Sequence, residues 1–314
     1  MSTAEISRED IVVVAQKPSS GRFKLSENWW RHLIGLFAVA CALFPVWFVL
    51  SAAFDRSDSI SGTQWTPNVF TFSNFTNILH NTVPDKTVQG GHVDSAFGRW
   101  YVNSIVIALL TAVLTVLVGS LTAYAFSRFR FRGRRMGMMF LLLIQMFPQL
   151  LLVVAIYLIV LNVGDVFHVI GLNTFTGLIV VYMGGALGVN AWLLKGFFDT
   201  IPRELDESAR VDGATPAQVF WGVVLPLALP VLAVVGLISF VSTLNEFVIA
   251  SAILQTKDHL TLPLGMRGFI DQQYGQRWGP FTAGALMAAI PAAILFFSLQ
   301  KWLVGGLTQG AVKG

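Results

Sequence analysis

Six long apolar runs alternate with polar segments along the chain. The first run has 22 residues, which extend about 33 Å as a helix and can cross a hydrocarbon core about 30 Å thick. Backbone N–H and C=O groups find no water in a bilayer, so such runs form helices. The pattern therefore predicts an all-α membrane protein with six transmembrane helices, at residues 33–54, 101–126, 136–161, 177–198, 223–254 and 281–304.

The composition supports a membrane protein and argues against an enzyme. Apolar side chains make up 54% of the 314 residues and charged ones only 12%, which is too apolar for a soluble core. The only cysteine, Cys41, lies in the first run, so the chain can form no internal disulfide. The sequence has no phosphate-binding G-x-x-x-x-G-K-[ST] motif and no catalytic or metal-ligand cluster. We therefore predict no enzyme activity, metal or cofactor for this chain itself.

Lysine and arginine are unevenly distributed between the segments that separate the runs. Fifteen lie in or beside one alternating set of segments, and six lie in the other set. Because basic residues favour the cytoplasmic side of a membrane, the bias predicts that both termini are cytoplasmic. The five arginines between residues 128 and 135 fit a short inner loop that touches anionic headgroups, so we predict no nucleic-acid site.

The runs and charges divide the chain into a membrane domain and two tails. Within the fifth run, Asn245 and Glu246 interrupt the apolar sequence. We therefore expect a helix to Leu244, followed by a break or a short helix near the outer face. The predicted parts are a cytoplasmic N-terminal tail (1–30), the membrane domain (31–304) with outer loops at 55–100 and 255–280, and a cytoplasmic C-terminal tail (305–314).

One inner segment, residues 199–222, is polar yet carries helix signals; we call it the signature loop. Pro202 and Glu204 suit the first turn of a short helix, because proline there needs no N–H partner and a carboxylate favours the positive helix end. Gly213 is suited to end that helix, since glycine accepts the left-handed cap conformation. The segment is therefore predicted to begin with one short helix.

A second short helix is predicted directly after this glycine. Thr215 and Gln218 fit a capping box at its start, and Pro226 is predicted to end it. The signature loop is therefore predicted to contain two short helices joined by a fixed turn, which we call the elbow. Charged residues along the first helix have i,i+4 spacing, and one interpretation is that the exposed ion pairs Arg203 with Glu207 and Asp206 with Arg210 only support a solvated helix. The other interpretation is that the excess negative charge of the loop contacts another protein.

The residue order in and after the signature loop resembles that of a known family. Glu207-Ser208-Ala209, three residues, Gly213, nine residues and Val223-Val224-Leu225-Pro226 is similar to a cytoplasmic signature of binding-protein-dependent ABC importer permeases. That signature is Glu-Ala-Ala, three residues, Gly, nine residues, Ile, any residue, Leu-Pro, so Ser208 and Val223 depart from it. The resemblance implies the type I ABC importer permease fold and a joint with an ATPase subunit at Glu207, Ser208, Ala209, Asp212, Gly213, Leu225 and Pro226.

The C-terminal sequence narrows the resemblance. Residues 301–314 are similar to the end of the smaller, G-type permease subunit of maltose and maltodextrin importers, and residues 145–148 and 171–174 also resemble that subunit. This implies a bacterial inner-membrane subunit that imports maltodextrin-like oligosaccharides. The implied partners are a homologous larger permease, two ATPase subunits that bind ATP and magnesium, and an extracytoplasmic sugar-binding protein.

Two alternatives stay open at this point. The same kind of importer would serve another solute, such as trehalose, another glycoside or a polyol phosphate. A self-sufficient secondary transporter is a different class, which usually needs ionisable groups within the membrane. Only Lys195 and Glu246 come near that requirement, and both lie at the edges of apolar runs.

The resemblance also implies that two further segments contact partners. An outer loop enters the opened sugar-binding protein, and the C-terminal tail inserts between the ATPase subunits, after Gly305-Gly306 ends the sixth helix. The predicted contacts with the binding protein are Gln255, Thr256, Lys257 and Asp258. The predicted contacts with the ATPase are Leu307, Thr308, Gln309, Gly310, Ala311, Val312, Lys313 and Gly314.

Candidate sugar contacts within the membrane are few. Asn190 and Trp192 offer an amide and an aromatic face, which bind sugars, although the maltose importers carry their membrane sugar site mainly on the larger subunit. Glu246 is either part of the path or a hydrogen-bonded group in the outer headgroup zone. The glycines at 184, 185 and 188 favour close helix packing.

Overall fold

A computed structural model describes residues 25–57, 66–84, 90–92, 95–271 and 276–310. These residues form helices, with two isolated β-bridges and no β-strand among them. The first six helices are α1 (Leu25–Ala53), α2 (Ser73–Leu79), α3 (Phe97–Arg128), α4 (Arg134–Gln145), α5 (Gln149–Val166) and α6 (Phe175–Phe198). The others are α7 (Arg203–Val211), α8 (Pro216–Val219), α9 (Leu225–Leu227), α10 (Leu229–Leu244), α11 (Val248–Ile253), α12 (Leu262–Ile270) and α13 (Trp278–Gly310).

The described helices account for the six predicted spans. Four of them, α1, α3, α6 and α13, are each long and apolar enough to cross a membrane. Two bent combinations, α4 with α5 and the helix from α8 to α9 with α10, raise the number to six if each is one span. α10 ends at Leu244, and α11 follows the predicted break.

The third apolar run differs from the prediction, because it is not one continuous helix. α4 and α5 meet at an angle of 107°. Pro148 lies between them with a ψ of 116°, which is not helical. Proline has no N–H to donate and disfavours the helical conformation of the residue before it, so the apolar run is interrupted although its composition is uniform.

The described residues up to Trp47 belong to one compact unit, and the described residues from Phe48 onward belong to another. In the first unit, α1 begins at Leu25, earlier than the predicted domain start at residue 31. The apolar side chains of this unit are exposed, and Leu36 is 72% exposed.

In the second unit, α3 is the helix against which α6 and α10 pack along their lengths. Its buried face carries small polar side chains, including Thr111, Thr115 and Ser120. Small residues let neighbouring helices approach closely, which suits an apolar environment where packing replaces the hydrophobic effect. The position of α3 therefore sets the positions of the loops at its two ends.

Each end of α3 joins its own cluster of buried apolar side chains. Near the C-terminal end, Tyr124 lies against Phe220, with a ring separation of 5.0 Å. Near the N-terminal end, Trp100 lies against Phe269, with a ring separation of 6.3 Å. Because Trp100 and Tyr124 are 24 residues apart on α3, this one helix keeps the two clusters about 36 Å apart.

The cluster around Trp100 leaves no space at one glycine of α12. A Cβ atom at Gly265 would lie 2.1 Å from a carbon of the Trp100 ring. That ring is 4% exposed, and its Nε1–H donates to the carbonyl oxygen of Lys257 at 3.2 Å. At Gly268, on the same helix, a Cβ atom would meet no atom within 4 Å.

We expect Gly265→Ala to lower the free energy of unfolding by about 1–3 kcal/mol, because the Trp100 ring cannot move without breaking its hydrogen bond. Gly268→Ala is the matched control and should keep the stability or raise it by up to about 1 kcal/mol, because glycine is less favourable than alanine in a helix. Thermal unfolding of the detergent-purified variants measures both effects. Equal melting temperatures for the two variants would contradict the close contact.

Candidate functional site

The first half of the signature loop has the predicted helix and glycine cap. α7 follows Pro202 and ends at Val211. Gly213 has a φ of +84°, which favours glycine, and its N–H donates to the Arg210 carbonyl oxygen at 3.0 Å. The N–H of Ala214 closes the end of the helix by donating to the Ala209 carbonyl oxygen at 2.9 Å. The elbow is thus fixed by backbone hydrogen bonds.

The second half begins with the predicted capping box. The backbone N–H of Gln218 donates to Thr215 Oγ1 at 3.3 Å, and the backbone N–H of Thr215 donates to Gln218 Oε1 at 2.7 Å. The prediction that this helix ends at Pro226 is wrong by one residue. The helix passes through a π-helical turn, Phe220–Val224, and continues to Leu227. Proline supplies no N–H, and the wider turn before it accommodates that loss.

The predicted i,i+4 ion pairs along α7 are wrong, because Asp206 turns inward. Its Oδ2 lies 2.7 Å from Arg128 Nε at the end of α3, and both side chains are at most 4% exposed. The Nε–H is not directed at the carboxylate, so this contact is an ion pair rather than a hydrogen bond. Arg203 likewise leaves Glu207 and donates to the carbonyl oxygen of Ser127 at 3.2 Å.

Further hydrogen bonds join the end of α3 to the residues on both sides of α7. Arg128 Nη2 donates to the carbonyl oxygen of Ile201 at 3.0 Å, and the Tyr124 hydroxyl donates to the carbonyl oxygen of Pro216 at 3.2 Å. α7 is therefore bound to the end of α3 through buried polar groups as well as apolar packing. Arg128 and Asp206 are the functional residues that sequence reasoning missed. The sequence signal that could have found them is Asp206, an isolated acid on a face of α7 that also carries apolar residues.

Asp199 connects the end of α3 to the end of α6. Ser127 Oγ donates to Asp199 Oδ1 at 2.7 Å, and Lys195 Nζ donates to Oδ2. Partial burial alone would raise the pKa of Asp199, but the hydrogen bonds from Lys195 and Ser127 hold this pKa below its usual value. Asp199 therefore stays ionised near neutral pH and bridges two helices.

The predicted binding-protein loop is exposed and firmly held at both of its ends. Asn173 has a φ of +60°, and its Oδ1 accepts from the backbone N–H groups of Gln255 and Thr256, each at 3.1 Å. At the other end, Asn103 Nδ2 donates to the carbonyl oxygen of Asp258 at 2.9 Å. Arg99 pairs with the carboxylate of Asp258. A short 3₁₀ turn, Lys257–His259, lies between these anchors.

Two of the three candidate sugar-contacting residues line one cavity of about 340 Å³. Asn190 Nδ2 donates to Ser239 Oγ of α10 at 3.0 Å, and Glu246 lies just after the C-terminal end of the same helix. The polar residues of the cavity are Tyr182, Asn190, Ser239, Ser242, Thr243 and Glu246. The cavity thus places hydroxyl, amide and carboxylate groups within a wall of apolar helices.

Glu246 has a structural role at the break after α10. Its Oε1 accepts from the N–H of Ile249 at 2.8 Å, and its Oε2 accepts from that of Ala250 at 3.0 Å. The Tyr182 hydroxyl also donates to Oε2, at 2.6 Å. The carboxylate therefore caps α11 while it lines the cavity.

Trp192 does not join this cavity. Its ring is 51% exposed and lines a separate groove with Arg134 and Lys195. Asn190 and Trp192 are two residues apart on α6, so their side chains point about 200° apart around the helix. Of the glycines nearby, Gly188 serves packing, because a Cβ atom there would lie 2.8 Å from Gln145 Nε2, whereas a Cβ atom at Gly184 would meet no atom within 4 Å.

The predicted C-terminal tail overlaps the last helix. α13 continues to Gly310, so the prediction that Gly305-Gly306 ends the sixth helix is wrong. Each glycine in a helix interior costs only about 1 kcal/mol relative to alanine, which does not by itself end a long helix. Residues 307–310 therefore lie in α13, whereas the predicted contacts Ala311, Val312, Lys313 and Gly314 lie outside the described residues.

Metal ligation finds no support in the described part of the chain. No group of three His, Cys, Asp or Glu side chains there could hold a metal ion. Cys41 is a free, exposed thiol on α1. The polar groups of the site are instead arranged as helix caps, ion pairs and cavity walls.

Residues 115–309 match the family described as the binding-protein-dependent transport system inner membrane component. The chain belongs to this family. The permease is 37% identical to the maltose/maltodextrin transport system permease protein MalG of Yersinia pestis, covering 98% of the permease and all of that protein. It is 36% identical to the galactooligosaccharides transport system permease protein GanQ of Bacillus subtilis (strain 168), covering 91% of the permease and 95% of that protein.

The fold of the permease also matches that of a solved importer. One chain of a bacterial ABC transporter that imports the acidic polysaccharide alginate superposes with a TM-score of 0.67 at 24% identity, over 87% of the permease and 94% of that chain. This confirms the type I ABC importer permease fold. The permease is thus a membrane subunit of an ABC importer, in which separate subunits hydrolyse ATP.

The buried Arg128–Asp206 pair allows a direct test of how α7 is held. Asp206→Asn should lower the free energy of unfolding by about 3–5 kcal/mol, because it leaves a buried guanidinium without its counter-charge. The double variant Arg128→Met/Asp206→Leu removes both charges and should regain most of that loss. Glu204→Gln, on the exposed side of α7, is the control.

Melting temperatures of the purified permease variants in detergent test whether the ion pair stabilises the position of α7. If Asp206→Asn melted at the same temperature as Glu204→Gln, the ion pair would have no structural role.

Proposed function

We propose that the permease is the G-type subunit of an inner-membrane ABC importer for maltodextrin-like oligosaccharides. Its similarity to MalG proteins over almost their full length supports the substrate class. The observation that carries the mechanism is the signature loop, a capped pair of helices joined to the end of α3 by the buried Arg128–Asp206 pair. This arrangement suits a rigid lever better than a flexible connection.

In the proposed mechanism, an ATPase subunit binds the exposed side of the signature loop. Glu207, Ser208, Asp212 and Gly213 are exposed there, and Ala209 is half-buried behind them. A displacement of α7 reaches α3 through the ion pair and through the Arg203 hydrogen bond, because neither contact can lengthen without leaving a buried polar group unpaired. Closure of the ATPase thereby changes access to the path between two permeases.

Leu225 and Pro226 have a supporting place in this mechanism. They follow the π-helical turn and lead to the bend of 78° before α10. The bend turns the chain from the signature loop into the next span, so a movement of the loop also reaches α10. π-helical turns often occur at functional positions.

We further propose that the signature loop and both termini are cytoplasmic. The uneven distribution of Lys and Arg supports this orientation. The loop from Gln255 to Asp258 then lies on the outer side, where an extracytoplasmic sugar-binding protein would meet it. The remaining proposed partners are the larger permease and two ATPase subunits, which bind ATP and magnesium and receive the C-terminal residues.

The cavity that contains Asn190 and Glu246 is the proposed sugar path of this subunit. Sugar hydroxyls donate to carboxylates and amides and accept from hydroxyl and amide donors, all of which the cavity offers. The Glu246 carboxylate would repel an anionic solute, so a polyol phosphate fits this path less well than a neutral sugar. Trehalose and other neutral glycosides remain compatible with it.

A galactooligosaccharide importer is the second candidate. The 36% identity to GanQ supports it, and the cavity chemistry suits any neutral oligosaccharide. A self-sufficient secondary transporter has less support, because the family works with a binding protein and Glu246 is engaged as a helix cap.

The sugar and the coupling are tested with the importer reconstituted in proteoliposomes. We expect its ATPase activity to rise about tenfold or more when the cognate binding protein is added with maltodextrins, and less with galactooligosaccharides. A preference for galactooligosaccharides would favour the second candidate. Uptake by the permease without ATPase or binding protein would overturn the proposal.

The cavity is tested in the same system. Ser242→Val, which places an apolar group in the cavity, should raise the sugar concentration needed for half-maximal uptake. Trp192→Phe, outside the cavity, is the control and should leave that concentration unchanged. Equal effects of the two variants would exclude the cavity from the sugar path.

The outer loop is tested at its anchor. Asn173→Gly keeps the positive φ but removes the acceptor for two backbone N–H groups and the Thr256 hydroxyl. We expect the binding-protein concentration for half-maximal ATPase stimulation to rise about tenfold, which corresponds to one or two lost hydrogen bonds. Asn173→Asp keeps an oxygen acceptor and serves as the control. Unchanged stimulation in Asn173→Gly would contradict a role for the ordered loop.

A further inference from the structure

A groove of about 990 Å³ lies between the start of α4 and the end of α6, beside the signature loop. One wall is basic, with Arg134, Arg135 and Lys195. The only acid in its lining, Asp199, is already paired with Lys195. The groove therefore has an excess of positive charge, and none of the functions assigned above uses it.

The other wall of the groove is apolar and exposed. Met136 is 77% exposed, Met139 52% and Trp192 51%. Large exposed apolar side chains next to arginine are typical of a membrane–water boundary, where one part of a ligand is charged and the rest is hydrocarbon. α6 has 24 residues, enough to span the hydrocarbon core, so its last turns lie near that boundary.

The start of α4 adds to the positive potential. Gly133 precedes the helix with a φ of +88° and provides no side-chain cap. The first N–H groups of a twelve-residue helix carry a partial positive charge, which adds to that of Arg134 and Arg135. A phosphate group at this position would meet the helix end and two guanidinium groups together.

We propose that this groove binds an anionic phospholipid, with its phosphate at Arg134 and Arg135 and an acyl chain along Met136, Met139 and Trp192. The charge of the groove, its apolar wall and its place at the membrane boundary select a lipid over a soluble anion. Assignment to the cytoplasmic leaflet rests on the orientation proposed above, whereas binding itself does not.

The groove also adjoins the contacts that hold the signature loop. Asp199 lines the groove and accepts a hydrogen bond from Ser127, whose carbonyl oxygen accepts from Arg203 of α7. The charge of Arg134 also acts on Asp199, so a phosphate beside Arg134 offsets this charge and acts on the same polar network. The bound lipid is thereby placed to modulate the coupling of α7 to α3.

The test uses the assembled importer in nanodiscs of phosphatidylcholine with added phosphatidylglycerol, followed by native mass spectrometry. The groove variant Arg134→Gln/Arg135→Gln is compared with Arg130→Gln/Arg132→Gln, which removes the same charge from the same segment outside the groove. At about 1 kcal/mol for each basic residue, the groove variant should retain phosphatidylglycerol about 30-fold more weakly. The control variant should bind it like the unaltered importer.

Three outcomes would overturn this proposal. Equal loss of lipid in both variants would show general attraction to the basic surface. Absence of retained lipid in the unaltered importer would show that a partner subunit covers the groove, and displacement of the lipid by inorganic phosphate would show a soluble-anion site. Sugar uptake is measured on the same samples. Failure of uptake with intact lipid retention would contradict only the proposed function, and the reverse result would contradict only the lipid site.

Discussion

Every backbone polar group among the apolar helices needs a hydrogen-bond partner, and the rest of this structure depends on that constraint. Where a helix is interrupted, a polar side chain supplies the missing bonds. Glu246 caps α11 with its carboxylate, and Asn173 binds the backbone at the start of the outer loop. Beside the bend between α4 and α5, Gln145 donates to a carbonyl oxygen of α6. The interruptions are therefore specific features, and two of them lie where the permease meets sugar or binding protein in the proposed mechanism.

α3 joins the two faces of the permease on one rigid element. Its N-terminal part holds the outer loop through Trp100 and Asn103, and its C-terminal end holds the signature loop through Arg128. A buried ion pair adds little net stability compared with well-packed apolar groups, but breaking it is costly because one charge stays buried. Such a contact suits a joint that has to keep one geometry while force passes through it.

The signature loop also receives influence from the membrane side. Asp199 is bonded to both Ser127 of α3 and Lys195 of α6, and it faces the basic groove. The proposed ATPase contact and the proposed lipid site therefore lie within a few residues of each other. This concentration of polar contacts follows from topology, because the ends of α3 and α6 and the start of α4 lie together where the helices leave the membrane.

The sequence by itself determined the features that depend on near neighbours. The left-handed cap at Gly213 and the capping box at Thr215 are local, and both were predicted correctly. Only the tertiary structure decided that Asp206 pairs with Arg128 rather than with a neighbour on its own helix. It also decided which apolar run breaks sharply and which side of α6 faces the cavity. Local signals determine that a helix forms, but a helix presents side chains in every direction, and the packing of distant segments alone selects the face that is buried.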